Sequence, residues 1–217
     1  MDVVKGSTAP RLSRRDKARA TQWRIVKVAY EQFCERGYAG TTMGDIAEAA
    51  GVAVQTLYFI FHSKSALLGR AIDFAVLGEQ EPMPPQEQPW YRSMTEEADP
   101  AIAIRHFVGG VAELSRRVVP IELAARVAAD ADPDTQRVLD FHERWRADNF
   151  RSVVDILRAK APLRAGVTAE RATDLLLLLL SNETYRYLTA SRGWSAADWV
   201  TWTTNALAEQ LFGRYSE

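Results

Sequence analysis

Residues 24–68 read RIVKVAYEQFCERGYAGTTMGDIAEAAGVAVQTLYFIFHSKSALL, and this stretch decides the fold. Ile25, Val28, Ala29 and Phe33 recur at helical spacing, and Gly37 supplies a stop. Thr42 followed by Asp45 is a capping-box arrangement that starts a second helix, with Met43, Ile46, Ala47 and Ala50 on one face and Gly51 at its end. Only Gly51, Val52 and Ala53 separate that helix from the aromatic stretch that runs from Val54 to Phe61. Two short helices joined by a tight turn containing Gly form a helix-turn-helix. Ser63 then caps a longer helix with Ala66, Leu67, Ala71, Phe74 and Ala75 facing inward.

Outward from this stretch, residues 1–18 lack apolar periodicity and read as a flexible basic arm. They have no apolar stretch behind the basic residues, so no secretory leader is expected. Residues 79–100 hold five prolines and read as a linker, with Trp90 and Tyr91 packing part of it down. Helical patterns follow from Ala101 to Val119, from Pro120 to about Ala129, from Pro133 to about Ala161, from Thr168 to Ser191 and from Ser195 to about Phe212. The chain is therefore expected to be all-α. Its parts would be the arm, a helix-turn-helix domain over 19–64 and a larger helical domain over 65–217. No strand alternation or internal repeat competes with this reading.

Charge is distributed unevenly. Residues 1–70 carry eleven Lys and Arg against six acids, a net +5, so the −1 of the whole chain leaves −6 on the remainder. A basic amino-terminal part suits a polyanion. One cysteine, Cys34, rules out an internal disulfide framework and fits a reducing, cytoplasmic setting. No apolar run approaches the ~18 residues a membrane helix needs. His62, His106 and His142 show no metal-ligand spacing, and the chain has no Gly-rich phosphate loop or nucleophile elbow. Neither catalysis, a cofactor, a metal nor a membrane partner is expected.

The quoted stretch resembles the TetR family of bacterial one-component regulators. The matching positions are Ala29, Phe33, Gly37-Tyr38, Thr41-Thr42, Ile46-Ala47, Ala50-Gly51-Val52, Thr56-Leu57-Tyr58, Phe61, Lys64 and Leu67-Leu68. The resemblance implies a three-helix DNA-binding domain, a connecting fourth helix and a ligand-binding domain. It also implies a homodimer built mainly from the last two helices, a small-molecule effector and repression as the usual mode of action. On this footing Thr42 would meet a phosphate of double-stranded DNA at a helix N-terminus. Val54, Gln55 and Thr56 would open the recognition helix, Gln55 pairing with adenine and Val54 touching a thymine methyl. Tyr58 and Lys64 would contact phosphate, and Arg14 and Arg15 would follow the backbone or enter a minor groove. Two positions depart from the pattern: Ile60 stands where a polar, His or Tyr residue is common, and Ala53 where Ser or Thr is common. A helical interaction module that has lost DNA binding is thus the rival reading.

In the larger domain, His106, Phe107, Phe141, Trp145, Asn149 and Tyr185 are candidates to line the effector pocket. The all-apolar run from Leu175 to Leu180, with Trp199, Trp202, Ala206 and Leu207, is the expected dimer seam.

Overall fold

A computed structural model describes residues 13–78 and 83–213. Among them the chain is all-α. The amino-terminal part comprises α1 (Arg14–Arg36), α2 (Met43–Ala50), α3 (Val54–Phe61) and α4 (Lys64–Leu77). The carboxy-terminal part comprises α5 (Pro89–Glu96), α6 (Pro100–Ala129), α7 (Pro133–Lys160), α8 (Ala169–Leu179), α9 (Asn182–Arg186) and α10 (Ala196–Phe212).

Helix α1 starts earlier than its apolar periodicity. Ser13 and Asp16 form a capping box, the Ser13 hydroxyl accepting from the Asp16 amide at 3.1 Å and the Asp16 carboxylate accepting from the Ser13 amide at 3.2 Å. Arg14, Arg15 and the residues up to 18 are therefore helical rather than part of a flexible arm; positions 1–12 of that expected arm lie outside the described residues. The capping box at Thr42–Asp45 forms as read. Gly51 adopts φ 64°, ψ 42°, the left-handed conformation that lets α2 stop and α3 begin three residues later. Val52 packs against the core between the two helices.

Three further expectations about where helices run need correction. The break at Pro120 does not occur: α6 runs through it for 30 residues. Proline removes the bond to the carbonyl four residues back and strains that turn. Here the Tyr30 hydroxyl donates to the neighbouring carbonyl of Arg117 at 2.9 Å, so the disturbed turn finds a donor on α1. The linker over 79–100 contains a 3-10 turn (Pro85–Glu87) and α5, each opened by a proline in its first turn. The helix expected from Thr168 to Ser191 is interrupted at Leu180. Ser181 leaves the helix to cap α9, its hydroxyl accepting from the Thr184 amide at 3.1 Å, and Tyr187–Ser191 form a π turn.

Two apolar cores result. One gathers the inner faces of α1–α4 together with Val118, Ile121 and Ala125 of α6, so residues 65–77 pack with the amino-terminal helices. The other joins α5, the first half of α6 and α7–α10. Within it Trp199 and Leu207 are fully buried by their own chain, and Tyr185 stacks edge-on against Trp199. Neither Trp199 nor Leu207 can belong to a seam with a second copy. Leu178 (64% exposed) and Trp202 (43% exposed) remain outside. No described helix is long and apolar enough to cross a membrane.

Candidate nucleic-acid interface and internal cavity

Helix α3 divides its residues by face. Leu57 and Phe61 are buried in the amino-terminal core and Ile60 packs against it. The departure at Ile60 is therefore a packing choice on the inner side, not a deletion from the outer one. Gln55 and Tyr58 are exposed, Thr56 is half-buried, and Val54 is half-buried against the core. Phe59, which the sequence reading passed over, is 82% exposed, the most open large apolar side chain among the described residues. Its signal was the buried pair Leu57 and Phe61 at i, i+4, which turns position 59 to the opposite side of the helix. Ala53 leaves the start of α3 without a side-chain cap.

Thr42 is engaged in its own capping box. Its hydroxyl donates to the Asp45 carboxylate at 2.7 Å and its amide donates to the same oxygen at 2.9 Å. These hydrogen bonds hold the exposed Asp45 carboxyl below the usual range. Lys64, the first residue of α4, places its ammonium 4.1 Å over the Tyr38 ring. Burial lowers the Lys64 pKa, opposed by the charges of Asp132 and Asp45. Thr42, α3 and Lys64 thus share one end of the domain. Arg14 and Arg15 lie at the opposite end of α1, about 30 Å away at 1.5 Å per residue.

Besides the Tyr30–Arg117 bond and the core shared with α6, two more hydrogen-bonded contacts tie this domain to the rest. The Tyr38 hydroxyl donates to Asp132 at 2.9 Å, and Asp132 also caps α7 by accepting from the amides of Asp134 and Thr135. Burial acts to raise the Asp132 pKa, but the hydrogen bonds from Tyr38 and Thr135 prevail and hold it low. The Arg117 guanidinium on α6 donates to the Ala75 carbonyl of α4 at 2.9 Å.

The carboxy-terminal part encloses a cavity of about 590 Å³, within the size range of small-molecule sites. Of the six candidates, Phe107, Trp145 and Asn149 line it. His106, Phe141 and Tyr185 do not. His106 is neighbour to Phe107, and adjacent helical residues point about 100° apart. Phe141 lies 58% exposed beside Gly69 and Arg70 in a shallow outer groove, while Tyr185 belongs to the Trp199 core. Asn149 accepts from Gln86 and donates to the Trp145 carbonyl at 2.7 Å, tying the segment before α5 to α7.

Residues the sequence reading missed do more of the lining. Trp90 and Tyr91 of α5 form a wall with Phe107 and Phe150. Ile72 and Val76 bring α4 to the cavity. At the polar end, the Arg126 guanidinium lies 2.5 Å from both Glu122 and Glu183, Asn182 donates to Glu122, and Arg146 pairs with Glu143 at 2.8 Å. His142 of α7 also lines the cavity, with Nε2 3.9 Å from Asp73 of α4. Burial lowers its pKa, opposed by Asp73, Glu122 and a hydrogen bond with the Gly69 backbone. Among the described residues no group of three or more His, Cys, Asp or Glu is placed to hold a metal. Burial pushes the Cys34 thiol up to about 11, which makes it a poor nucleophile.

Comparison with known proteins agrees with this geometry. Residues 25–71 match the family described as bacterial regulatory proteins, tetR family. The HTH-type transcriptional regulator TtgR of Pseudomonas putida is 37% identical over 59 residues, which cover 27% of this chain and 28% of TtgR. The match thus spans little more than a quarter of that relative's length. Whole-chain likeness comes from solved structures. NalD, the secondary repressor of the MexAB-OprM multidrug efflux pump in Pseudomonas aeruginosa, superposes with a TM-score of 0.66 at 19% identity, covering 90% of this chain and 97% of NalD. A TetR transcription regulator from Haloarcula marismortui superposes with a TM-score of 0.63 at 15% identity, covering 91% of this chain and 100% of the other. Residues 25–71 thus carry the amino-terminal domain of the tetR family of bacterial regulatory proteins, and the helices beyond it are arranged as in solved regulators of that fold.

Proposed function

We propose that this chain is a homodimeric transcriptional repressor that binds double-stranded DNA through α2 and α3 and is released by a small molecule in the cavity. The observation that carries the reading is the position of α4. Its first residue, Lys64, sits beside the helix-turn-helix, and its later residues Ile72 and Val76 line the cavity about 12–18 Å further along at 1.5 Å per residue. One helix therefore touches both places. A ligand that favours a different setting of α4 changes the spacing of two recognition helices, which must meet successive major grooves about 34–36 Å apart. A coupling of about 1–3 kcal/mol suffices for release over a useful concentration range.

On the DNA side, Gln55 is the candidate for base readout. Tyr58, Lys64 and the first turn of α2 at Thr42 are candidates for phosphate contact, with Val54 and Thr56 at the edge of the face. Arg14 and Arg15, helical and remote from Thr42, would meet flanking backbone rather than the same groove. Of the expected seam, Leu178 and Trp202 are the large apolar residues left exposed for a second copy to cover. The intact outer face of α3 favours this reading over a module without DNA binding.

The test begins with capture of fragmented genomic DNA by the purified protein, followed by titration of the enriched fragment at several salt concentrations. We expect a near-palindromic site and an affinity falling steeply with salt. Lys64→Ala should weaken binding alike on all sequences and reduce the salt slope by about one, whereas Gln55→Ala should change base preference. A folded protein that enriches no sequence would overturn the reading.

A further inference from the structure

The cavity's charge is unbalanced, and its walls are aromatic. Five carboxylates line it, those of Glu122, Asp130, Asp140, Glu143 and Glu183, against two guanidinium groups and no lysine. Both guanidiniums are already held, Arg126 by Glu122 and Glu183 and Arg146 by Glu143. The one histidine, His142, is disfavoured in its charged form by burial. Carboxylate charge is therefore left over on the lining. Glu122 is the deepest of the acids, with 14% of its side chain exposed. It shares Arg126 with Glu183, and Glu143 lies near enough to Arg126 to add to the same field. Elsewhere the lining offers ring faces and edges among aliphatic side chains: Trp90 lies 5.7 Å from Tyr91 and 6.1 Å from Phe107, which in turn meets Phe150 edge-on at 5.4 Å.

We infer that the cavity takes an organic cation with a bulky apolar body, the positive charge resting near Glu122, Glu143 and Glu183 and the body lying among Trp90, Tyr91, Phe107 and Phe150. This deepens the proposed function and rests on its reading of the cavity as the effector site. Aromatic faces attract a desolvated cation, and the surplus carboxylates supply a counter-charge without the protein having to move a base into place. An anion of the same shape meets the surplus negative charge and finds both guanidinium charges already paired with carboxylates, although the buried Nε of Arg146 lacks a hydrogen-bond partner. A polar neutral molecule gains from neither feature.

Tetraphenylphosphonium and tetraphenylborate share a shape and differ in sign, so they separate charge from fit. Calorimetric titration of the full-length protein with each is expected to show the phosphonium binding at least about tenfold more tightly, the ratio expected where one charge contact decides between partners. Glu183→Gln, at an exposed position, and Glu122→Gln should each weaken the phosphonium and leave the borate unchanged or improved. Val111→Trp, which fills the cavity, should abolish both. The borate binding as tightly as the phosphonium, phosphonium affinity indifferent to both Gln variants, or neither ion binding overturns the inference. Anisotropy of the captured DNA fragment, measured in parallel, judges the functional reading separately. DNA binding that persists unchanged with the phosphonium bound in the cavity sinks release and leaves the inference standing. Release by a neutral or anionic compound in the absence of phosphonium binding does the reverse.

Discussion

The two ends of α4 belong to regions built in different ways. Around Lys64, every part of the helix-turn-helix comes from about twenty consecutive residues, α2 started by its own capping box and stopped by its own glycine, and α3 following after a three-residue turn. Around Val76, the cavity is assembled from α4, α5, α6, α7 and the α8–α9 junction, residues more than a hundred positions apart. Local rules suffice for the first region. The second depends on which face each long helix happens to present, and no local rule fixes that.

The comparison can be broken most severely in the amino-terminal core. Leu57 is fully buried on the inner side of α3, and Leu57→Ala should cost about 2–5 kcal/mol, read by chemical denaturation. DNA binding should be lost first, because α3 carries the exposed face. Loss of ligand binding before DNA binding would show that the two regions are not separable in this way. A smaller and opposite lesion is available at Gly110 of α6. A Cβ there would fall inside the Trp90 indole, so Gly110→Ala must push α5 away at a cost of about 1–3 kcal/mol. DNA affinity without ligand should be retained while the cavity changes shape; unchanged ligand affinity would mean α5 is not a working wall.

Ala53→Ser sharpens the contrast from the other side. It gives α3 the cap it lacks and should stabilise the protein by about 1 kcal/mol, visible as a higher denaturation midpoint. No gain would mean that the geometry at position 53 cannot accept a cap. The smallest effect is the pH response of His142. Its folded-state pKa lies below the unfolded value of 6.5, so the unfolded chain binds more protons just below that pH. Stability should fall as pH drops through 6.5 and level off once the folded-state group also protonates. His142→Gln should flatten this part of the profile, and an unchanged profile would exclude His142 as its source.

The same contrast explains what could be read in advance. Thr42–Asp45, Gly51 and the buried positions of α3 announce themselves through spacing alone. So do the caps at Ser63 and Ser195. The run through Pro120 was not legible, because the helix survives with the help of Tyr30, ninety positions earlier in the chain. The stop at Leu180 was hidden by the strength of the leucine pattern, although Ser181 and Thr184 carried a cap signal. In the cavity, Phe107 was recoverable as an aromatic on an inward face. His142 was not, since Phe141 beside it is larger and more apolar yet turns outward. Trp90 and Tyr91 lay in a stretch whose prolines suggested a loop, when Pro89 in fact opens α5.

Helix α6 closes the two regions against each other, and this restricts how the protein can change over generations. Val111, Ser115 and Glu122 face the cavity, while Ile121 and Ala125, further round the same helix, belong to the core beneath the helix-turn-helix, and Val118 serves both. On the proposed function, substitutions at 111, 115 or 122 act first on the effector cavity. Those at 121 and 125 would be felt at the operator, and a change at 118 would be felt at both. On that same proposed function, a lineage adapting to new compounds should therefore vary along one stripe of α6 and hold the other still, and an engineer retuning what the cavity accepts should confine a library to the first stripe.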